Sequence, residues 1–326
     1  YEAITFLKHL NSIVAQRNPG AMMIAEESTA WPKVTGDVED GGLGFTYKWN
    51  MGWMHDFLEY MKCDPIFRKY HQNQITFSFM YAYSENYVLV LSHDEVVHLK
   101  KSMIYKMPGT MPEKFGNLRA AYGLMMMHPG KKLLFMGQDF AQTAEWNEAK
   151  SLDWHLLEKY PEHQQLNHYY CDLLHFYQNE PALYELDDSP EGFAWINGSD
   201  AEHNMLTFCR MTKDKKNCLL CHFNFSPVAY ENFQSGVLCP GTYTEVFNSN
   251  AAEYGGTGLV NPEPIEAVKE SWDFKDYSIK YHLGAYGVCI FKFDYVEPKP
   301  EEPQKPAKRY TKEDIHKLAG HYKKVK

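Results

Sequence analysis

The sequence lacks the features that mark several large classes of protein. No uninterrupted apolar run approaches the ~18–20 residues that a membrane-spanning helix needs. Basic residues are outnumbered, with 33 Lys and Arg against 42 Asp and Glu and a net charge of −9. Such a balance argues against nucleic acid or an anionic membrane as the main partner. We therefore expect no membrane span and no nucleic-acid partner.

Cysteine and glycine are present, but neither follows a pattern that binds a metal or a phosphate. The seven cysteines are odd in number and irregularly spaced, which predicts reduced thiols in a cytoplasmic protein. Cys218 and Cys221 form a CxxC sequence inside an apolar run, and we interpret both as buried hydrophobes. Gly41, Gly42 and Gly44 precede a strand pattern rather than a helix, which is the wrong order for a phosphate loop. We predict neither a metal nor a cofactor.

The composition is otherwise that of a folded protein with a large core. The 326 residues suffice for two domains, and 44% hydrophobic and 23% charged residues are ordinary values. The aromatic content of 15% is high. Flat rings stack on sugar faces, so this surplus suits a carbohydrate-binding surface, although an aromatic-rich core explains it as simply.

Residues 1–183 alternate between helical and strand patterns. Apolar residues at three-to-four spacing predict helices at 1–17, 54–61, 112–127 and 162–179, and apolar runs predict strands at 22–25, 45–50, 87–92 and 132–137. Alternation of this kind makes an α/β fold with a parallel sheet the economical outcome.

From about residue 184 the pattern changes to short apolar runs separated by Gly, Asn, Asp, Pro and Ser, and these runs predict strands at 193–196, 205–209, 218–225, 243–247 and 287–293. We predict an all-β sandwich domain over 184–295. Residues 296–326 begin with a Pro-rich charged stretch and end in basic residues, which predicts an extended linker and a solvated tail that contains one short helix.

Two acidic clusters follow apolar runs, at 22–29 and 87–98. In α/β folds, chemistry lies at the carboxyl ends of the strands. Cleavage of a glycosidic bond with retention needs an acid and a carboxylate nucleophile about 5 Å apart, together with groups that stabilise an oxocarbenium-like transition state. Two strands that end in carboxylates fit that reaction class.

The residues alone leave the roles within each cluster open. Glu26 or Glu27 can supply the acid, and Asp94 or Glu95 the stabilising charge. His93 can donate a hydrogen bond to a sugar hydroxyl. The structural alternative is that these carboxylates cap the following helices or pair with nearby cations.

Longer stretches of sequence carry a specific resemblance. Residues 22–29, 42–56, 87–98, 132–142 and 151–157 resemble the 1,4-α-glucan (glycogen) branching enzymes of the α-amylase superfamily. The likeness extends from residue 1 to about residue 293. It implies a (β/α)8 TIM barrel followed by an all-β domain, with the four strands here as strands five to eight. The chain therefore resembles the C-terminal half of such an enzyme.

The resemblance also implies roles for individual residues. Glu26 matches the general acid/base after the fifth strand, Asp94 the transition-state-stabilising aspartate after the seventh, and His93 a histidine that contacts substrate. Glu27 and Glu95 are then neighbours of these groups. The family's nucleophile is an aspartate after the fourth strand, and no residue of this chain matches it. Smaller departures are Leu99 in place of a common Gly and 138–139 as Gln-Asp in place of Asn-Glu.

The function that the resemblance implies is transfer of a glucan chain. The enzyme would cleave an α-1,4 linkage of glycogen or an amylose-type chain, hold the glycosyl group covalently and pass it to a 6-hydroxyl. One alternative is an α-glucan hydrolase or debranching enzyme of the same superfamily. The other is an inactive glucan-binding piece, because we expect the isolated 326-residue chain to lack branching activity. The oligomeric state is not predicted.

Overall fold

Four parallel strands form the sheet of the first half of the structure, a computed structural model that describes residues 1–297. Their spatial order is the order of the chain, β1-β2-β3-β4, and every pair is parallel. Each lies within or overlaps one of the four predicted strands. The strands are β1 (Ile24–Ala25), β2 (Tyr47–Trp49), β3 (Tyr87–Leu91) and β4 (Lys131–Leu134).

Eight helices accompany this sheet in the described residues. Four of these helices were predicted, and each begins or ends within a few residues of the predicted position. The other four are shorter and were not predicted: α3, α4, α5 and α7. The helices are α1 (Glu2–Arg17), α2 (Met51–Lys62), α3 (Pro65–Arg68), α4 (Gln72–Tyr81), α5 (Met103–Lys106), α6 (Met111–Met127), α7 (His155–Lys159) and α8 (Pro161–Asn179). Within residues 1–297, none is long and apolar enough to cross a membrane.

Strand β1 differs from the buried strand that the apolar run at 22–25 predicts. It lies at the edge of the sheet, and Ile24 keeps 47% of its surface exposed. Only Ala25 is buried in this strand, whereas Val88 and the residues after it in β3 are buried. An apolar run predicts strand formation, but burial depends on whether both sides of the strand are covered.

The second half of the chain is an antiparallel β structure. Six strands form one sheet in the order β10-β9-β12-β7-β6-β5, and β11 pairs with β8 in a second sheet. The sequence predicted β5, β6, β7, β9 and β12 but missed the other three. The strands are β5 (Phe193–Asn197), β6 (Met205–Arg210), β7 (Cys218–Asn224), β8 (Tyr230–Val237), β9 (Thr242–Asn248), β10 (Ile265–Glu266), β11 (Tyr277–Leu283) and β12 (Val288–Phe293).

Side chains from the two faces of the six-stranded sheet enter different cores. Cys221 of β7 joins a core that α6 and α8 also fill, while Cys218 of the same strand joins a core closed by β8 and β11. Both thiols are buried and unpaired. The CxxC sequence therefore places its two sulfurs on opposite faces of one strand. Within residues 1–297 no group of three or more His, Cys, Asp and Glu side chains is arranged to hold a metal.

Helix α6 packs directly on the six-stranded sheet. A Cβ built at Gly123 would lie 2.7 Å from Cγ2 of Val288 in β12, so only glycine permits this approach. Tyr1–Val296 form one compact unit. The predicted linker and tail helix lie, from residue 298 onward, outside the described residues.

A buried arginine with an ion-pair partner also joins the β/α and β parts. Arg210 of β6 is fully buried and donates to the Met127 carbonyl at 2.7 Å and to Asp187 Oδ1 at 3.0 Å. Burial alone would raise the pKa of Asp187, but Lys132, Arg210 and Lys131 lower it to about 2. Removing one partner of such a pair leaves an uncompensated buried charge, which costs about 3–5 kcal/mol.

Candidate functional site

The carboxyl ends of β1–β4 lie along one edge of the sheet because the strands are parallel. We refer to this edge as the candidate site. Glu26 follows β1, and Asp94 lies in a 3₁₀ turn that follows β3. Strand β2 separates the two, and neighbouring strands are spaced by about 4.8 Å, so the two strands that carry these carboxylates are roughly 10 Å apart.

Glu26 and Glu27 have different environments. Glu27 accepts a hydrogen bond from Lys48 Nζ at 2.9 Å and another from the Thr29 backbone N–H at 2.7 Å. Partial burial raises the pKa of Glu27, but the Thr29 and Lys48 hydrogen bonds outweigh it and leave the pKa below its ordinary value. Glu26 is exposed and forms no hydrogen bond or ion pair with another residue of 1–297. The Glu27 carboxylate is therefore used to hold its loop in place, whereas the Glu26 carboxylate is not.

Asp94 and Glu95 also have different environments. Glu95 is buried, and its carboxylate accepts the backbone N–H of Ser92 at 2.5 Å. The Ser92 hydroxyl accepts the Asp94 N–H at 3.3 Å, which completes a capping box around the turn His93–Val96. The Asp94 side chain is 46% exposed, and its Oδ1 lies 3.3 Å from His93 Nε2.

Two acidic side chains in the loop after β4, Asp139 and Glu145, hold the backbone of neighbouring segments. Asp139 accepts a hydrogen bond from Asn167 Nδ2 at 3.0 Å and another from a backbone N–H, although burial raises its pKa. Glu145 accepts the backbone N–H groups of Leu99 at 3.0 Å and Lys101 at 2.7 Å, and these two hydrogen bonds lower its pKa. Each of these carboxylates holds a loop in place.

Local hydrogen bonding thus divides these six carboxylates into two groups. Four are used by the protein to fix loops and turns, and two are left facing solvent with no loop to hold. The four are Glu27, Glu95, Asp139 and Glu145, and the two are Glu26 and Asp94. An uncommitted carboxylate can exchange a proton or stabilise a positive charge without disturbing the fold.

His93 is oriented by two aromatic rings that the sequence patterns did not identify. Its ring centroid lies 5.9 Å from those of Phe135 and Trp146, which are themselves 5.2 Å apart. Phe135 follows β4 directly, and its N–H donates to the Leu91 carbonyl at 2.9 Å. The imidazole is therefore held at the sheet edge beside Asp94. The sequence patterns also missed Lys48, although a lone charged residue within a strand signals a partner for that charge.

Two grooves flank the candidate site. One of about 570 Å³ begins at Glu27 and continues past Lys48 to Phe77 and Tyr81 of α4. The other, of about 540 Å³, begins at Glu95 and is lined by four lysines, Lys62, Lys100, Lys101 and Lys106. Neither Glu26 nor Asp94 lines either of these two grooves.

Several known proteins share the fold of this chain. Residues 195–294 match the model of the alpha amylase C-terminal all-beta domain. An alpha-amylase from H. orenii has the same fold, with a TM-score of 0.57 at 15% identity over 89% of this chain and 57% of that protein. A pullulanase type I from Bacillus subtilis matches with a TM-score of 0.60 at 12% identity, over 88% of this chain and 41% of that protein. The predicted fold, half a (β/α)8 barrel followed by an all-β domain, is confirmed.

Relatives with higher sequence identity make the resemblance more specific. The 1,4-alpha-glucan branching enzyme GlgB of Butyrivibrio fibrisolvens is 50% identical over 298 residues, which are 91% of this chain and 46% of the relative. That of Geobacillus stearothermophilus is 47% identical over 89% of this chain and 45% of the relative. The resemblance to the C-terminal portion of the 1,4-α-glucan branching enzymes is therefore confirmed. The chain spans less than half the length of these relatives.

Proposed function

We propose that this chain belongs to a cytoplasmic 1,4-α-glucan branching enzyme that acts by retaining double displacement. The observation that carries the proposal is the sorting of carboxylates, because the two left uncommitted, Glu26 and Asp94, are the two that the resemblance matches to catalytic groups. The nucleophile is supplied by a part of the enzyme outside this chain. The relatives, about twice as long, support that arrangement.

In the first step, Glu26 gives its proton to the departing 4-oxygen while the nucleophilic carboxylate bonds to the anomeric carbon. Asp94 lies near the sugar ring and stabilises the positive charge that develops there. His93 donates a hydrogen bond to a sugar hydroxyl. In the second step, Glu26 takes the proton of an incoming 6-hydroxyl, whose oxygen displaces the carboxylate with net retention.

Transfer requires that an acceptor glucan, and not water, reach the covalent intermediate. Product analysis on linear amylose therefore separates branching from hydrolysis. A branching enzyme produces α-1,6 linkages without a rise in reducing ends, and a hydrolase raises the number of reducing ends. A rise without α-1,6 linkages overturns the proposal in favour of an α-glucan hydrolase.

Substitution within one acidic pair tests the site assignment in the enzyme that contains this chain. Glu26→Gln should lower the rate of α-1,6 linkage formation by about 10³-fold, since it removes the proton that is transferred. Glu27→Gln is the matched control, and we expect less than about tenfold because Glu27 acts only on its loop. The reverse ranking would show that the assignment is wrong. The purified 326-residue chain alone should form no α-1,6 linkages.

A further inference from the structure

A groove lined by four lysines lies between helix α2 and the segment that joins β3 to α6. We refer to it as the lysine groove. Its volume of about 540 Å³ lies within the size range of small-molecule sites. His55 and Lys62, both of α2, line it, so the groove extends along roughly 10 Å of that helix. The other three lysines are Lys100, Lys101 and Lys106.

The two carboxylates of the lysine groove are already used by other groups. Glu95 accepts the backbone N–H of Ser92 at 2.5 Å, and Glu59 pairs with Lys62 at 2.8 Å. The side chains of the next two lysines, at positions 100 and 101, form no hydrogen bond or ion pair with another residue of 1–297. The lining therefore holds four positive side chains against two negative ones, and both negative ones are occupied.

Lys106 is the least exposed of the four lysines. It keeps only 7% of its surface exposed, and its ammonium group donates to the Lys100 carbonyl rather than to a carboxylate. Burial, together with the nearby Lys62 and Lys100, lowers the pKa of Lys106 to about 8. Glu95 and Glu145 act in the opposite direction but do not compensate. Lys106 is therefore still charged at neutral pH. A buried charge without a counterion is costly, and a bound anion would remove that cost.

Lys100 and Lys101 lie on a turn whose backbone is fixed. Lys101 has φ of +67°, and its N–H donates to Glu145 Oε1 at 2.7 Å. The other Glu145 oxygen accepts the Leu99 N–H at 3.0 Å, and the Lys100 N–H donates to the Val97 carbonyl at 3.1 Å. The backbone that carries these two ammonium groups needs no rearrangement, which lowers the cost of binding a ligand.

The lysine groove is remote from the edges at which the sheet can be extended. Helix α2 follows β2, and the other lysines follow β3. Strands β2 and β3 are the two inner strands in the order β1-β2-β3-β4. Further strands of a barrel can therefore join only at β1 or β4. The strands that precede the elements of the groove already have both of their sheet neighbours within this chain.

We propose that the lysine groove binds a small molecule that carries a phosphate group. Phosphate presents several anionic oxygens at once, so it can accept hydrogen bonds from Lys100, Lys101 and Lys106 together. A neutral ligand would leave these ammonium groups without a counterion. The volume of the groove leaves room for an organic part beside the phosphate. The proposal does not rest on the proposed function, because Glu26, His93 and Asp94 do not line the groove.

The test is titration calorimetry of the 326-residue chain with inorganic pyrophosphate at low salt. The whole chain carries a net charge of −9, so binding of an anion requires a local cluster of positive charge. Lys100→Gln and Lys101→Gln, made together, should weaken binding about tenfold or more. The matched control combines Lys150→Gln and Lys159→Gln, which remove the same charge from two exposed lysines outside the groove. We expect the control to bind pyrophosphate as the unchanged chain does.

Lys106→Met is an independent variant, because methionine keeps an apolar side chain but carries no charge. It should also weaken binding about tenfold or more. Circular dichroism would establish that each variant is folded. Two results would overturn the proposal: no measurable binding of pyrophosphate to the unchanged chain, or an equal loss in the control pair, which would indicate diffuse attraction to charge.

Comparison with Glu26→Gln separates this outcome from that of the proposed function. Glu26→Gln should bind pyrophosphate as the unchanged chain does, whatever the products of the enzyme are. An active branching enzyme that does not bind pyrophosphate contradicts the phosphate site and leaves the proposed function standing. Pyrophosphate binding that depends on Lys100, Lys101 and Lys106 supports the site even where no α-1,6 linkages form.

Discussion

Lys48 reaches from the middle of β2 to the acidic loop that follows β1. Its Nζ donates to Glu27 Oε2 at 2.9 Å and to the Thr29 carbonyl at 3.3 Å, and the Lys48 side chain is only 7% exposed. This one ammonium group therefore joins β2 to the loop that follows β1. Because Glu26 immediately precedes Glu27, the same contact fixes the backbone that carries Glu26.

We predict that the Lys48–Glu27 pair stabilises the fold measurably. Lys48→Met should lower the free energy of unfolding by about 1–3 kcal/mol, because it leaves a half-buried carboxylate without its partner. A double-mutant cycle with Glu27→Gln, measured by urea unfolding, should give a coupling energy of about 0.5–3 kcal/mol. The exposed pair Lys62–Glu59 is the control and should couple by less than about 1 kcal/mol. Equal coupling in the two pairs would contradict the prediction.

Leu99 occupies a backbone conformation that favours glycine. Its φ is +67°, and its side chain is 94% exposed, so no packing offsets the strain. Leu99→Gly should raise the free energy of unfolding by about 0.5–1 kcal/mol, since relief of roughly 1–2 kcal/mol of strain exceeds the added entropy of the unfolded chain. Leu174→Gly in helix α8 should instead destabilise by about 1 kcal/mol. Thermal or urea unfolding checks both, and a destabilised Leu99→Gly would show that the strain is absent.

The buried His128 side chain makes the stability of the fold depend on pH. Burial lowers its pKa to about 3, and the ring contacts Ser78 Oγ and the Pro129 carbonyl. The unfolded value is about 6.5, so between these values only the unfolded chain binds the proton. His128 therefore stabilises the fold fully above pH 6.5 and loses this contribution as pH falls toward 3. The slope is about 1.4 kcal/mol per pH unit.

His128→Asn should reduce the measured slope by about 1.4 kcal/mol per pH unit, because an asparagine amide can still donate to the Pro129 carbonyl but does not titrate. Urea unfolding between pH 6 and pH 4 measures the slope. The control is His175→Asn, at an exposed position of α8. It should leave the slope unchanged, and an unchanged slope in His128→Asn would mean that His128 is charged in the folded protein.

The sequence predicted the elements whose own residues carry an apolar pattern, whether or not the fold buries that pattern. Helices α1, α6 and α8 and all four parallel strands show one clear period or one continuous run. Strands β8 and β11 were missed because polar residues interrupt them: their partners across the hairpin, and not their own composition, make them strands. Helix α4 was missed for the opposite reason, since apolar residues surround it without a single period.

The candidate site was predictable only to the level of acidic pairs. Composition and spacing place Glu26 beside Glu27 and Asp94 beside Glu95, but they do not distinguish the members of a pair. That distinction depends on Lys48 of the next strand and on the 3₁₀ turn that Glu95 caps. Both are contacts between segments, which a local pattern does not contain.

The close approach of α6 to β12 has a practical consequence for enzyme engineering. Helix α6, which precedes β4 in the chain, meets the β domain through a contact shaped for Gly123 and Val288. A sandwich grafted from a distant superfamily member would leave a gap or a clash at that point. Chimeras between such proteins should therefore exchange α6 and the β domain together, as a single unit.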